Sequence, residues 1–271
     1  ALASLEKIFG LFNVTETIRV QDHKLQSFNG QIRFSGVHFH YPSHPDKPVL
    51  KDVSFDVQPG QTIAIVGPTG SGKSTIVKLL LGLYEGYSGS ITLDGQELRD
   101  CDCQSVRSHI ATVGQDARLF NRSLMFNITL GNPAISREDV LTAIQLANAE
   151  HVIQKLPEGL DSPLNQFGHQ LSSGEAQLIG FARALACPSP LILLDEATAN
   201  IDTINEHAIQ HATAELLKQR TVIVIAHRLS TIQHADCIIA LKHGQIIETG
   251  THSELIDADG FYSKLYHMQF H

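Results

Sequence analysis

Residues Gly67 to Thr75 read GPTGSGKST, which matches the spacing G-x-x-x-x-G-K-[ST]. That combination captures phosphate. Gly67, Gly70 and Gly72 let the backbone turn tightly, so that its N–H groups converge on phosphate oxygens. Lys73 brings a full positive charge, the Ser74 hydroxyl suits a Mg²⁺ ion, and a helix opening here adds the partial charge of its N-terminus. Pro68, Thr69, Ser71 and Thr75 complete the loop. A glycine-rich turn with a surface lysine would not explain why Gly-Lys-Ser opens an apolar helix. A dinucleotide-binding turn is disfavoured because G-x-G-x-x-G is absent.

A triphosphate enzyme also needs a metal anchor and a group that orients or deprotonates water. The run Leu191-Ile192-Leu193-Leu194 delivers Asp195 and Glu196 at the end of an apolar strand. Asp195 suits Mg²⁺, and Glu196 follows as the candidate general base. The bland alternative is a strand ending in two solvated acids. His227 holds the same position after the strand Val222 to Ala226, where its ring would meet a γ-phosphate or the attacking water. Gln115 follows Ile110 to Val113 and is long enough to reach metal or water, though it carries little weight alone.

These groups need strands and helices to hold them. Thr62 to Val66 predicts a buried strand before the loop, and Ser74 to Leu83 a helix after it. Alternation at Ile32-Phe34 and Val53-Phe55-Val57 predicts antiparallel strands interrupted by a Pro-rich turn, Tyr41 to Pro48. Gly89–Leu93, Ile110–Val113, Leu191–Leu194 and Thr221–Ile225 predict further strands, and Ile238–Leu241 pairs with Gln245–Ile247 across a turn at Lys242-His243-Gly244. The stretch 119–186 reads as mostly helical. Ser136 and Asp139 form a capping-box pattern opening a helix to Asn148, and a second helix spans Ser172 to Ala186. Thr203 and Glu206, then Thr251 and Glu254, repeat that pattern before two later helices. Strand–helix alternation around a phosphate loop implies a parallel α/β core with helices on both faces and a second, helical lobe.

Bulk properties set the class. With 271 residues, 42% hydrophobic and 18% charged, the chain can bury a large core. No apolar run approaches the ~20 residues that span a bilayer. A formal net charge of −8 argues against nucleic acid as a partner. The cysteines Cys101, Cys103, Cys187 and Cys237 lack a second pair at metal-ligand spacing and read as reduced thiols. His38 and His40 share a strand face opposite Phe39 and Tyr41 and read as solvated. Met125 and Met268 are the only methionines, so the chain is expected to be processed or cut from something longer.

The assembled pattern resembles the nucleotide-binding domain of ATP-binding cassette (ABC) transporters over about residues 30 to 260. The distinguishing mark is Leu171-Ser172-Ser173-Gly174-Glu175, similar to the family signature L-S-G-G-Q. The resemblance implies a fold: a P-loop NTPase parallel sheet core with an antiparallel β subdomain and an inserted α-helical subdomain at 119–186. It also implies roles. Tyr41 stacks on adenine, Gly67 to Thr75 hold the phosphates of ATP, and Gln115 couples to other domains and, with Ser74 and Asp195, holds Mg²⁺. Glu196, His227 and Lys73 serve catalysis, and Asn200-Ile201-Asp202 form the loop that crosses to a partner. That partner is a second nucleotide-binding domain, paired head to tail so that each signature faces the other's ATP.

Residues 1–28, with Leu2, Leu5, Ile8, Phe9 and Phe12 at helical spacing, look like a linker helix and connector from a transmembrane domain of the same polypeptide, with the ATPase domain at 29–271. The resemblance therefore implies an exporter ATPase at the cytoplasmic face of a membrane, the bacterial inner membrane. An importer subunit or a non-transport ATPase of the same family are the alternatives. Three departures stand out: Ser173 where the family has glycine, Glu175 where it has glutamine, and Leu164-Asn165-Gln166-Phe167-Gly168 where exporters carry an acidic, Gly-flanked segment before the signature. Glu175 would bring negative charge toward a γ-phosphate. With Glu196 and His227 intact, this asymmetry fits a heterodimer; a homodimer with a tolerant signature is the other arrangement.

Overall fold

A computed structural model describes residues 23–25, 27–114, 117–164, 171–195, 203–218, 220–226 and 229–270. Apolar alternation builds β1 (Ile32–His40) and β2 (Pro48–Val57), which pair antiparallel as expected. Strict alternation from Ile32 and Phe34 would turn His38 and His40 inward. A register shift between Phe34 and Val37, with Gly36 at φ 58°, moves Val37 and Phe39 to the core side instead. Both histidines stay exposed.

The run TIAIV forms β3 (Thr62–Val66), buried throughout. It leads through the glycine-rich loop into α1 (Lys73–Leu80). This helix is shorter than the sequence suggested, because Leu81 leaves helical geometry and Gly82 takes a left-handed conformation, φ 61°, that closes its end. Strands β4 (Ser88–Leu93) and β5 (Gln96–Glu97) complete a four-stranded antiparallel sheet in the order β2-β1-β4-β5. Helix α2 (Cys103–Ser108) is capped by Asp102, so the Cys-Asp-Cys run serves a helix start. Then comes β6 (Ile110–Val113).

The helical lobe departs from the sequence reading in one respect. Two short strands, β7 (Arg122–Ser123) and β8 (Pro163–Leu164), pair antiparallel and tie its ends together. Between them lie α3 (Leu124–Thr129), α4 (Arg137–Leu146) and α5 (Glu150–Gln154). The Ser136–Asp139 capping box is present in both directions. Helix α6 (Ser173–Ala186) follows, with Ser172 outside it as N-cap. Asn127 is fully buried; its amide oxygen accepts the Phe120 N–H at 2.7 Å and its amide nitrogen donates to the carbonyls of Phe120, Arg122 and Ser123. Arg183 donates to the Asn127 carbonyl at 2.9 Å, joining α6 to that knot.

The chain returns to the core through β9 (Leu191–Asp195), α7 (Thr203–Leu217), β10 (Thr221–Ile225), α8 (Leu229–Gln233), β11 (Cys237–Lys242) and β12 (Gln245–Gly250). His243 and Gly244, both at positive φ, make the two-residue turn between the last two strands. Helices α9 (His252–Asp257), opened by the Thr251–Glu254 capping box, and α10 (Phe261–Phe270) end the described chain.

The main sheet runs β12-β11-β3-β10-β9-β6, parallel except for β12. Its alternation divides the interior in two. Ile63, Ile65, Leu191, Leu193, Ile223, Ile239 and Leu241 pack with α1 and the antiparallel sheet. Ala64, Val66, Ile192, Leu194, Val222, Val224, Ile238 and Ala240 pack with the helical lobe and α7. A sheet covered on both faces needs near-continuous apolar strands, which is why these runs lack the polar alternation of β1 and β2.

Candidate active site

Because β3, β10, β9 and β6 are parallel, their carboxyl ends share one edge of the sheet. The register sets Ile65 beside Ile225, Ile225 beside Asp195, and Leu194 beside Val113. Loops leaving that edge form a cleft of about 550 Å³ lined by Tyr41, Val49, Thr69, Gly70, Gly72, Lys73, Ser74, Thr75, Asp195 and Ile225. Ligand sites in such sheets lie beyond the carboxyl ends of the strands, and this volume suits a nucleotide-sized molecule.

The loop's shape is fixed by its neighbours. Gly67, at φ 150°, sits so close to β11 that a Cβ would strike the Leu241 carbonyl oxygen. Gly72 caps α1 in a left-handed conformation, φ 110°. Lys73 is 8% exposed and folds back, its ammonium donating to the carbonyls of Gly67 at 2.6 Å and Pro68 at 3.1 Å. Burial pulls its pKa below the ordinary lysine value, and the nearby Asp195 carboxylate opposes that shift. Lys73 and Asp195 thus line the same cleft. Ser74 stands exposed at the first turn of α1, and the buried Ser71 hydroxyl finds no hydrogen-bond partner among the described residues. A loop with a buried cation, an unsatisfied hydroxyl and a helix N-terminus fits a phosphate group, and Ser74 and Asp195, both lining the cleft, are oxygen donors of the kind Mg²⁺ prefers.

Tyr41 lies on the cleft wall. Its hydroxyl bonds the Thr75 hydroxyl at 3.0 Å, its ring meets Phe39 and Tyr84 edge to face at 5.1 Å each, and the Lys78 ammonium lies 5.5 Å from its centre. Tyr84, Lys78, Val49 and Ile225 have no motif in the sequence and emerge only from the packing.

Leu171 to Glu175 do not line this cleft. Ser172 and Ser173 are exposed, while Gly174 and Glu175 are buried. The Ser172 hydroxyl accepts the Glu175 N–H at 3.2 Å, and a Glu175 oxygen accepts the Ser172 N–H at 2.8 Å. The other Glu175 oxygen pairs with the Lys155 ammonium. Burial works to raise the Glu175 carboxyl, but hydrogen bonds from Lys155 and Ser172 outweigh it and hold the carboxyl below its usual range. The charge expected to point at phosphate is therefore turned inward and countered. Lys155 lies 20 residues before Glu175 and carries no sequence signal. Gln115, Glu196, Asn200, Ile201, Asp202 and His227 lie outside the described residues.

Sheet order, loop and cleft together define the phosphate-loop class of nucleotide-binding α/β domains. Comparison with known proteins narrows this. The pattern of the ABC transporter family matches residues 50–199, and the chain belongs to that family. It is 42% identical over 269 residues to the ATP-dependent lipid A-core flippase of Saccharophagus degradans, covering 99% of this chain and 46% of the flippase. It is 44% identical over 242 residues to Multidrug resistance protein pgp-1 of Caenorhabditis elegans, covering 89% of this chain and 18% of that protein. A solved bacterial Atm1-family ABC exporter with ATP bound superposes with a TM-score of 0.86 at 36% identity, covering 99% of this chain and 47% of that one. The chain thus spans about half the length of the curated flippases it matches. Among the described residues no helix is long and apolar enough to cross a membrane.

Proposed function

We propose that this chain is the ATP-hydrolysing domain of an ABC exporter, joined to a transmembrane domain in one polypeptide and lying on the cytoplasmic face of a membrane, the bacterial inner membrane. The cleft carries the reading: phosphate loop, aromatic wall and Asp195 meet at the carboxyl edge of a parallel sheet. The exporter assignment is supported by the alignment of nearly the whole chain with one half of flippases and an exporter.

In this reading Tyr41 bears the adenine, Gly67 to Thr75 hold the phosphates, and Lys73 exchanges its carbonyl partners for phosphate oxygens. Ser74, Gln115 and Asp195 would hold Mg²⁺, which supplies positive charge to the leaving phosphate oxygens when bound. Glu196 takes a proton from a water whose oxygen attacks the γ-phosphorus in line, and ADP leaves. Lys73 and His227 stabilise the charge that builds on the transferred group. Ser172, Ser173 and Gly174 of a second copy, brought near by the loop Asn200-Ile201-Asp202, close over the same phosphate. The counter-charge on Glu175 favours pairing between identical chains, because the signature then carries no exposed acid.

Glu196→Gln is expected to keep ATP binding and slow phosphate release about 10²–10⁴-fold, the usual cost of losing a general base. Hydrolysis by that variant at the parent rate would refute the assignment.

A further inference from the structure

The N-terminus of α6 already holds an anion of its own. Its first-turn N–H groups have no acceptor within the helix and favour negative charge, and the Glu175 carboxylate supplies that charge in the same turn where an incoming phosphate would have to dock. Glu175 is 6% exposed, while the Lys155 side chain is 63% exposed and reaches it from the residue that ends α5. The lysine is therefore a largely solvated group spent on a buried acid. The capping box alone does not require it, since a neutral glutamine at this position also accepts the N-cap N–H.

We propose that Lys155 is a positioning residue for ATP hydrolysis across the paired domains. It cancels the Glu175 charge and holds the carboxylate against the Ser172 N–H. The Ser172 hydroxyl hydrogen and the N–H groups of Ser173 and Gly174 then stay available to the γ-phosphate of ATP bound by the other copy. This rests on the paired arrangement proposed above. Without the lysine, one uncompensated negative charge lies within a helical turn of the incoming phosphate.

The test uses Lys155→Met, Lys155→Arg and Lys155→Met/Glu175→Gln, each alone and in a Glu196→Gln background. ATP-driven pairing is followed by sedimentation, and phosphate release by titration with ATP. Lys155→Met is expected to raise the ATP concentration for half-maximal pairing and hydrolysis about 5–10-fold, equivalent to ~1–1.4 kcal/mol. Binding of a fluorescent ATP analogue to the unpaired domain stays unchanged, because the phosphate loop is untouched. Lys155→Arg restores the parent value, and the double variant returns to within about twofold of it. A merely structural pair would lower the denaturant midpoint of Lys155→Met without moving its ATP titration, and that result overturns the proposal, as does a double variant that stays as impaired as Lys155→Met. If the Glu196→Gln chain binds ATP yet never pairs, the two-copy reading itself falls and the Lys155 role with it.

Discussion

At the scale of single residues, the phosphate loop is a device for presenting one buried ammonium. Lys73→Ala removes that charge and its hold on the Gly67 and Pro68 carbonyls, so nucleotide affinity is expected to fall by at least about tenfold in a fluorescence titration. Tyr41 separates two contributions: Tyr41→Phe loses only the bond to Thr75, whereas on the proposed reading Tyr41→Ala also loses the ring and with it roughly 1–3 kcal/mol of stacking on a base. Calorimetry on both variants distinguishes them. Glu175 gives a pH signature. Its folded-state pKa is depressed, so the stability it contributes is present above the ordinary glutamate range and is lost as pH falls through the folded value. Denaturant midpoints measured downward from neutrality should show that loss, and Glu175→Gln should flatten it. The phosphate-loop residues that line the cleft were legible because their spacing along the chain is itself the chemistry. Lys155, Tyr84 and Lys78 were not, because only the folded chain brings them to Glu175 and Tyr41.

Elements show the same division between local and distant causes. Every strand of the main sheet was readable from its apolar run, and the boxes at Ser136 and Thr251 announced their helices by residue type and a three-residue interval. The side chains of the third expected box, Thr203 and Glu206, lie outside the described residues. What the pattern could not supply was the pairing of β7 with β8 or the bulge at Gly36, since both answer to partners far along the chain. The helical lobe depends on such a partner in Asn127. Asn127→Ala would take the acceptor from the Phe120 N–H and the donor from three backbone carbonyls, and chemical denaturation should report a loss of about 1–3 kcal/mol.

Over the whole molecule, the sheet separates two interiors, one belonging to the antiparallel sheet and α1, the other to the helical lobe. The phosphate loop lies at its carboxyl edge, whereas the signature residues at the tip of α6 are not among those lining that cleft, and the proposed pairing brings the signature of a second copy to it. Hydrolysis is therefore expected to rise more steeply than linearly with protein concentration, which a dilution series of phosphate release would detect; strict proportionality would speak against pairing. The overall class was legible because one loop and one helix start carry family-specific spacing, while the counter-charge that bears on the mode of pairing was hidden in tertiary contacts. The lysine folded onto its own loop has a kinetic consequence. A cradle already latched in shape has little left to order on encounter, so nucleotides should arrive at similar rates and be told apart by how long they stay.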